Sequence, residues 1–250
     1  MEFHERMAVA HALHTFWNPV SEDVVDELLW ALDLQPGQRV LDIACGAGEL
    51  LLRMAARHGV CGVGVDVSPW ALERARDAKA ATLPEADLAF VEIDGKAYRP
   101  PAEHVHDIVT LVGASWIFDG YEGTLSALHD LVRPDGLVLF GEPYWRGAVP
   151  PAEYLQAEEL TPESFTDLAG LHAAAEAAGF RLLFQIVSTG QDWDRYEMLQ
   201  SLSVDRWAAA QPEHPDREAV LARQVEAQRT YLRWGRDALG FTQMVLRRID

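Results

Sequence analysis

Three aspartates stand at or near the ends of apolar, β-branched runs: Asp42 in VLDIACGAGELL (residues 40–51), Asp66 in CGVGVD (61–66) and Asp94 in VEID (91–94). A carboxylate at a strand end can accept hydrogen bonds from both hydroxyls of a ribose, and one on a further strand can accept from the exocyclic amine of adenine. After Asp42 comes a bend containing Ala44, Gly46 and Gly48, small residues that let a backbone approach a ligand closely. A dinucleotide lays its pyrophosphate on such a bend, and the pattern for that is G-x-G-x-x-G. Here Gly46-Ala47-Gly48 is followed by Glu49-Leu50-Leu51, so the third glycine is missing. Asp42 and Glu49 also stand where a diphosphate would lie, and like charges at short range repel. A ligand with adenosine, no phosphate and a positive group removes the conflict. S-adenosylmethionine, with its ammonium and sulfonium, has those features.

The elements that must position these acids follow from periodicity. Residues 1–36 read as helical, with Val24, Val25, Leu28, Leu29 and Leu32 on one face, Ser21 as cap and Pro36-Gly37 as the stop. Strands are expected at 39–43, 61–66, 88–93, 107–112, 137–141, 180–189 and 241–249. Helices are expected at 49–58, 68–79, 123–132 and 161–179, the last with Thr161 and Ser164 as rival caps. Strands alternating with helices predict a parallel sheet covered on both faces. Residues 190–240 break the alternation and read as two helices, 193–210 and 216–239, separated by Gln211-Pro212-Glu213-His214-Pro215. The expected organisation is an N-terminal helical cap (1–36), an α/β core (37–190), a helical insertion (191–239) acting as a lid or a dimer interface, and a last core strand (240–250).

The net charge of −18 repels a phosphate backbone, so nucleic acid is not an expected partner. No run of eighteen apolar residues and no basic leader before an apolar segment occurs, which points away from membranes and secretion and makes the cytoplasm the default compartment. Two cysteines, Cys45 and Cys61, give neither a disulfide framework nor a zinc spacing. His4, His11 and His14 lack a completing carboxylate or thiolate, so no metal is expected.

The ordered series VLDIACGAG, VGVD, VEID, DIVTLV and RPDGLVLFGEP, over residues 38–142, resembles class I S-adenosylmethionine-dependent methyltransferases. The bend departs from the family pattern in one place, where Ala44 replaces a glycine. The resemblance implies a Rossmann-like, seven-stranded and mostly parallel sheet, with the last strand antiparallel between the fifth and sixth. The segment 190–240 then becomes an insertion before that strand. It implies S-adenosyl-L-methionine as cofactor and S-adenosyl-L-homocysteine as product. Asp42 then lies beneath the bend, Ala44, Gly46 and Gly48 lie along the methionine part, Asp66 and its neighbour Val67 lie at the ribose, and Ile93, Asp94 and Gly95 flank the adenine. Val112 and Gly113 line the sulfonium side, with Trp116 as a cation–π partner or a pocket wall.

Methyl transfer is an in-line displacement that needs alignment and water exclusion, and a base only where the acceptor loses a proton. By position, Glu142, Tyr144 and His14 are the candidates for direct chemistry, and Trp17, Trp145, Trp193 and Tyr196 for holding a small-molecule acceptor. The chain is expected to be a monomer or a homodimer. Two rival readings stay open on the residues: a protein of this fold that binds the cofactor without transferring methyl, and an NAD-dependent oxidoreductase.

Overall fold

The computed structural model describes residues 1–100 and 106–249; position 250 of the expected last-strand unit lies outside them. Seven strands form one sheet: β1 (Arg39–Ile43), β2 (Cys61–Asp66), β3 (Leu88–Glu92), β4 (His106–Val112), β5 (Val132–Trp145), β6 (Phe180–Val187) and β7 (Leu239–Arg248), in the order β3-β2-β1-β4-β5-β7-β6. Strands β1 to β5 pair in parallel, and β7 runs antiparallel between β5 and β6. Helices α2 (Glu22–Leu32), α3 (Glu49–His58) and α4 (Pro69–Thr82) cover one face, and α5 (Tyr121–Leu131) and α7 (Leu168–Ala177) the other, with the short α6 (Ala152–Ala157) in the connection after β5. The central strands are apolar on both faces because both are covered: Val40, Leu41, Ile43, Ile108, Val109 and Leu111 are all fully buried. The chain leaves β1 outward to β3 and returns through β4, so the strand order reverses between β1 and β4. A crevice opens there beyond their carboxyl ends.

Several boundaries differ from the sequence expectation. The first 36 residues form two helices, α1 (Phe3–Ala10) and α2, joined by non-helical chain in which Ser21 caps α2 through Val24 N. The fifth strand starts at Val132, with a register shift where the Pro134-Asp135-Gly136 turn bulges. The helix expected over 161–179 is interrupted: Thr161 and Ser164 close a short turn on each other, and Asp167 caps α7 by accepting from Gly170 N. The sixth strand ends at Val187 because Thr189 caps the insertion helix α8 (Gly190–Ala210) in a reciprocal pair with Asp192. The second insertion helix, α9 (Arg217–Thr230), gives way to a wide π turn at Tyr231–Gly235, and β7 begins at Leu239.

The insertion packs on the chain's own N-terminus. Ala10 of α1, Val204 of α8 and Val220 of α9 form a small buried cluster with Met1, Met7, Val9, Trp207 and Leu221 around it. The terminal ammonium pairs with Asp216 at the start of α9.

Candidate functional site

The bend after β1 is a run of left-handed turns: φ is +55° at Ala44, +53° at Gly46 and +73° at Gly48. Ala44 holds this conformation with a side chain, at a cost of about 1–2 kcal/mol. Gly48 needs its hydrogen for packing, since a Cβ there would lie 2.6 Å from Phe90 and 2.9 Å from Ala75. Asp66 locks the bend from β2: its Oδ2 accepts from Gly46 N at 2.9 Å and its Oδ1 from Ser68 N at 2.8 Å. Asp42 is buried and accepts from Thr110 Oγ1 at 2.6 Å. Burial, aided by the charge of Asp66, pushes its carboxyl up to about 7. A bound cation beside it would reverse that shift.

The N-terminal link lies over both strand ends. The Trp17 ring sits 3.6 Å from where a Cβ of Gly46 would be, and Asn18 lies against Gly113 while its Nδ2 donates to Val112 O at 3.3 Å. Gly113, at φ +71°, leaves room for no side chain beneath Asn18. Arg74 of α4 ties the link down by donating to the carbonyls of His11 and His14.

Beneath this cover is a cavity of about 660 Å³, within the range of organic-ligand pockets. Of the sequence candidates it brings together Asp42, Ala44, Gly46, Asp66, Val67, Asp94, Gly95, Val112, Gly113, Trp116, Trp17, Trp193 and Tyr196. Its two ends differ in chemistry. One holds the bend and the acids Asp42, Asp66 and Asp94. The other is walled by Val20 and Val25 near and on α2, Leu139 and Pro143 of β5, Phe241 and Gln243 of β7, and Trp193 and Tyr196 of α8. Trp116 stands at the rim, 73 % exposed.

The other candidates lie elsewhere. Along β5 the pleat sends Leu139 and Pro143 to the cavity, and Phe140, Glu142 and Tyr144 to the opposite face. Glu142 is fully buried there, accepts from Ser115 Oγ at 2.6 Å, and is pushed up to about 8 by burial. Tyr144 packs in the core under α5 and α7. Trp145 donates through Nε1 to Pro162 O at 2.9 Å, away from the cavity. Ile93 joins that same core. His14 is buried beside the insertion and donates through Nε2 to Tyr196 O at 2.9 Å. Glu142, Tyr144, His14 and Trp145 are therefore not cavity-lining groups, and strand parity is the reason for the first two.

Sequence reasoning missed His11, Phe241 and Gln243, all of which line the cavity. Gln243 carried a signal: a lone amide inside the apolar run FTQMVL. Among the described residues no cluster of His, Cys, Asp or Glu could hold a metal, and no helix is long and apolar enough to cross a membrane.

Fold and site together define an α/β protein with a ligand-sized, acid-bearing cavity at the β1–β4 crevice. Comparison with known proteins makes this specific. A family model described as a methyltransferase domain matches residues 40–136. Two crystal structures of S-adenosylmethionine-dependent methyltransferases in complex with S-adenosyl-L-homocysteine are similar over nearly the whole chain. The one from Geobacter sulfurreducens shares 30% identity over 98% of both chains with a TM-score of 0.90. The one from Thiobacillus denitrificans shares 30% identity over 99% of this chain and 100% of that one, also with a TM-score of 0.90. The uncharacterized protein YjhP of Escherichia coli K12 is 30% identical over 96% of this chain and 97% of its own. The chain belongs to the class I S-adenosylmethionine-dependent methyltransferase family, and its cofactor is S-adenosylmethionine.

Proposed function

We propose that the protein moves a methyl group from S-adenosylmethionine to a small, largely apolar organic acceptor. The observation that carries this reading is a cavity with one acidic, glycine-lined end and one aromatic end. The acidic end suits a donor bearing an ammonium and a sulfonium but no phosphate. In this reading Asp66 takes the ribose hydroxyls, and Asp94 with Gly95 flanks the adenine. Asp42 and the bend lie along the amino-acid part, and Val112 and Gly113 face the sulfonium. The donor supplies a carbon already activated by positive sulfur, so the protein's work is alignment and exclusion of water. Trp17 and Asn18, lying over the two strand ends, serve that purpose. The acceptor occupies the end walled by Phe241, Gln243, Trp193 and Tyr196. The insertion is then a cover for the acceptor, a role supported by its packing on the chain's own N-terminus. The net charge of −18 favours a small molecule over a nucleic acid.

The test is transfer of label from methyl-labelled S-adenosylmethionine into a metabolite extract, beside a thermal-shift screen with S-adenosylmethionine, S-adenosylhomocysteine and NAD. Stabilisation by the two adenosyl compounds with label recovered in a small molecule is the expected result. Stabilisation with no label transferred to any fraction would favour a binding protein of this fold.

A further inference from the structure

His11 and Tyr196 are 185 positions apart in the chain and meet in the cavity wall, Nε2 to Oη at 3.0 Å. The direction of that hydrogen bond is set by a second one. His11 Nδ1 lies 2.9 Å from the carbonyl of Met7, which can only accept, so Nδ1 carries the ring proton. Nε2 is then a bare lone pair, and the phenol donates to it. The pair is held from several sides. The His11 ring stacks on Trp17 (centroids 4.8 Å apart, planes at 23°), and the Tyr196 ring meets Trp193 edge-on at 6.3 Å. His14 packs on Tyr196 at 5.1 Å and donates to its backbone carbonyl. Trp17 covers the glycine bend, whereas Trp193 clusters with Phe241 at the aromatic end. The phenol therefore belongs to the acceptor's end, and its partner His11 reaches the donor's end through Trp17.

We propose that Tyr196 and His11 form a proton relay that accepts the proton of a hydroxyl group as it is methylated, so that the acceptor is an alcohol or phenol and the product an O-methyl ether. This rests on the methyl-transfer reading above. The acceptor oxygen's lone pair forms the new bond to the methyl carbon, and the electron pair of the broken carbon–sulfur bond stays on sulfur. The acceptor's proton passes to Tyr196 Oη while the phenol's own proton passes to His11 Nε2. One positive charge thus leaves the sulfonium and one appears on the imidazole, which returns its proton to water. The titratable and charged groups facing the pair are His14 from the same segment, Arg74 from α4, and Arg195 and Glu197 from α8. Burial pulls His11 down to about 4, which keeps Nε2 unprotonated through the neutral range, and raises the Tyr196 phenol, which keeps its proton in place to be relayed.

The experiment uses the full chain, methyl-labelled S-adenosylmethionine and the same metabolite extract, with wild type, Tyr196→Phe and His11→Gln assayed from pH 5 to 9. Affinity for S-adenosylhomocysteine is measured alongside as a check on folding. The relay predicts label on oxygen, a wild-type rate nearly flat across this range, and at least a 100-fold loss in each variant at pH 7. The residual rate of the variants rises about tenfold per pH unit, because the hydroxyl must then ionise unaided. Independently of activity, imidazole ¹⁵N spectra of the protein should show His11 as the Nδ1–H tautomer, with the Nε2 resonance moving in Tyr196→Phe. Label on carbon or sulfur, retained transfer in either variant, variants that keep the wild-type pH profile, or an Nε2–H tautomer at His11 would each overturn the relay. Absence of transfer by wild type to any fraction would remove methyl transfer itself, and the relay with it.

Discussion

At the scale of single residues, the acids around the crevice divide by environment. Asp66 is tied to two backbone amides and lines the cavity, and the proposed reading assigns it the ribose hydroxyls. Replacing Asp66 with Ala should weaken S-adenosylhomocysteine binding by about 1.5–3 kcal/mol, the scale of hydrogen bonds to a charged group. Calorimetry giving unchanged affinity in a folded variant would remove the ribose assignment. Glu142 is different, being a buried carboxyl on the far face of the sheet. Its ordinary pKa of 4.5 is raised to about 8 in the folded chain. The folded state therefore keeps a proton that the unfolded chain gives up, and Glu142's contribution to stability is lost as pH rises from 4.5 through 8. Glu142→Gln should match wild type near pH 4.5 and exceed it at pH 8, by on the order of 4 kcal/mol. Urea unfolding at the two pH values decides this, and a gap that does not widen with pH would contradict the burial argument.

At the scale of elements, two facts organise the site. The first is the pleat of β5 and β7, which turns Leu139, Pro143, Phe241 and Gln243 toward the cavity and Phe140, Tyr144, Met244 and Leu246 into the opposite core. The second is that α1, α8 and α9 share one small apolar cluster, so the N-terminal segment and the insertion are packed together as one unit. Burying a charge in that cluster should loosen both ends of the chain together while leaving the sheet intact. Val220→Asp is the corresponding variant, since Val220 is buried in the cluster and far from the strands. Limited proteolysis should then cut within α1 and within α8–α9 at similar rates, and amides of β1 and β4 should keep their exchange protection. Cleavage confined to α9 would mean that the two segments are independent.

At the scale of the whole molecule, the charge of −18 is spread over a chain whose positive residues number 21 against 39 acids. Self-repulsion of that size opposes the compact state and is screened by salt, with a Debye length of about 10 Å at 0.1 M. The melting temperature should rise between 20 mM and 500 mM sodium chloride, apart from any ligand. A flat or falling melting temperature would mean that local ion pairs, such as Arg53 with Glu22, Asp26 and Glu49, outweigh the net repulsion.

The alternation of strands and helices, the acids Asp42, Asp66 and Asp94, and the bend were legible in the sequence because each is a local property. Apolar β-branched runs and caps act over a few residues, and glycine acts through its own φ. The family resemblance added the antiparallel last strand, which the strand order bears out. Only the tertiary structure decided which face of β5 meets the cavity. A pleat of period two makes Glu142 and Tyr144 look as well placed as Pro143 until the register with β4 and β7 is known. The pairing of His11 with Tyr196, and the seating of Asn18 on Gly113, were likewise decided by packing. Contacts between residues so far apart in the chain leave no period or spacing in the sequence. The first forms where the N-terminal segment and the insertion bury a shared apolar surface.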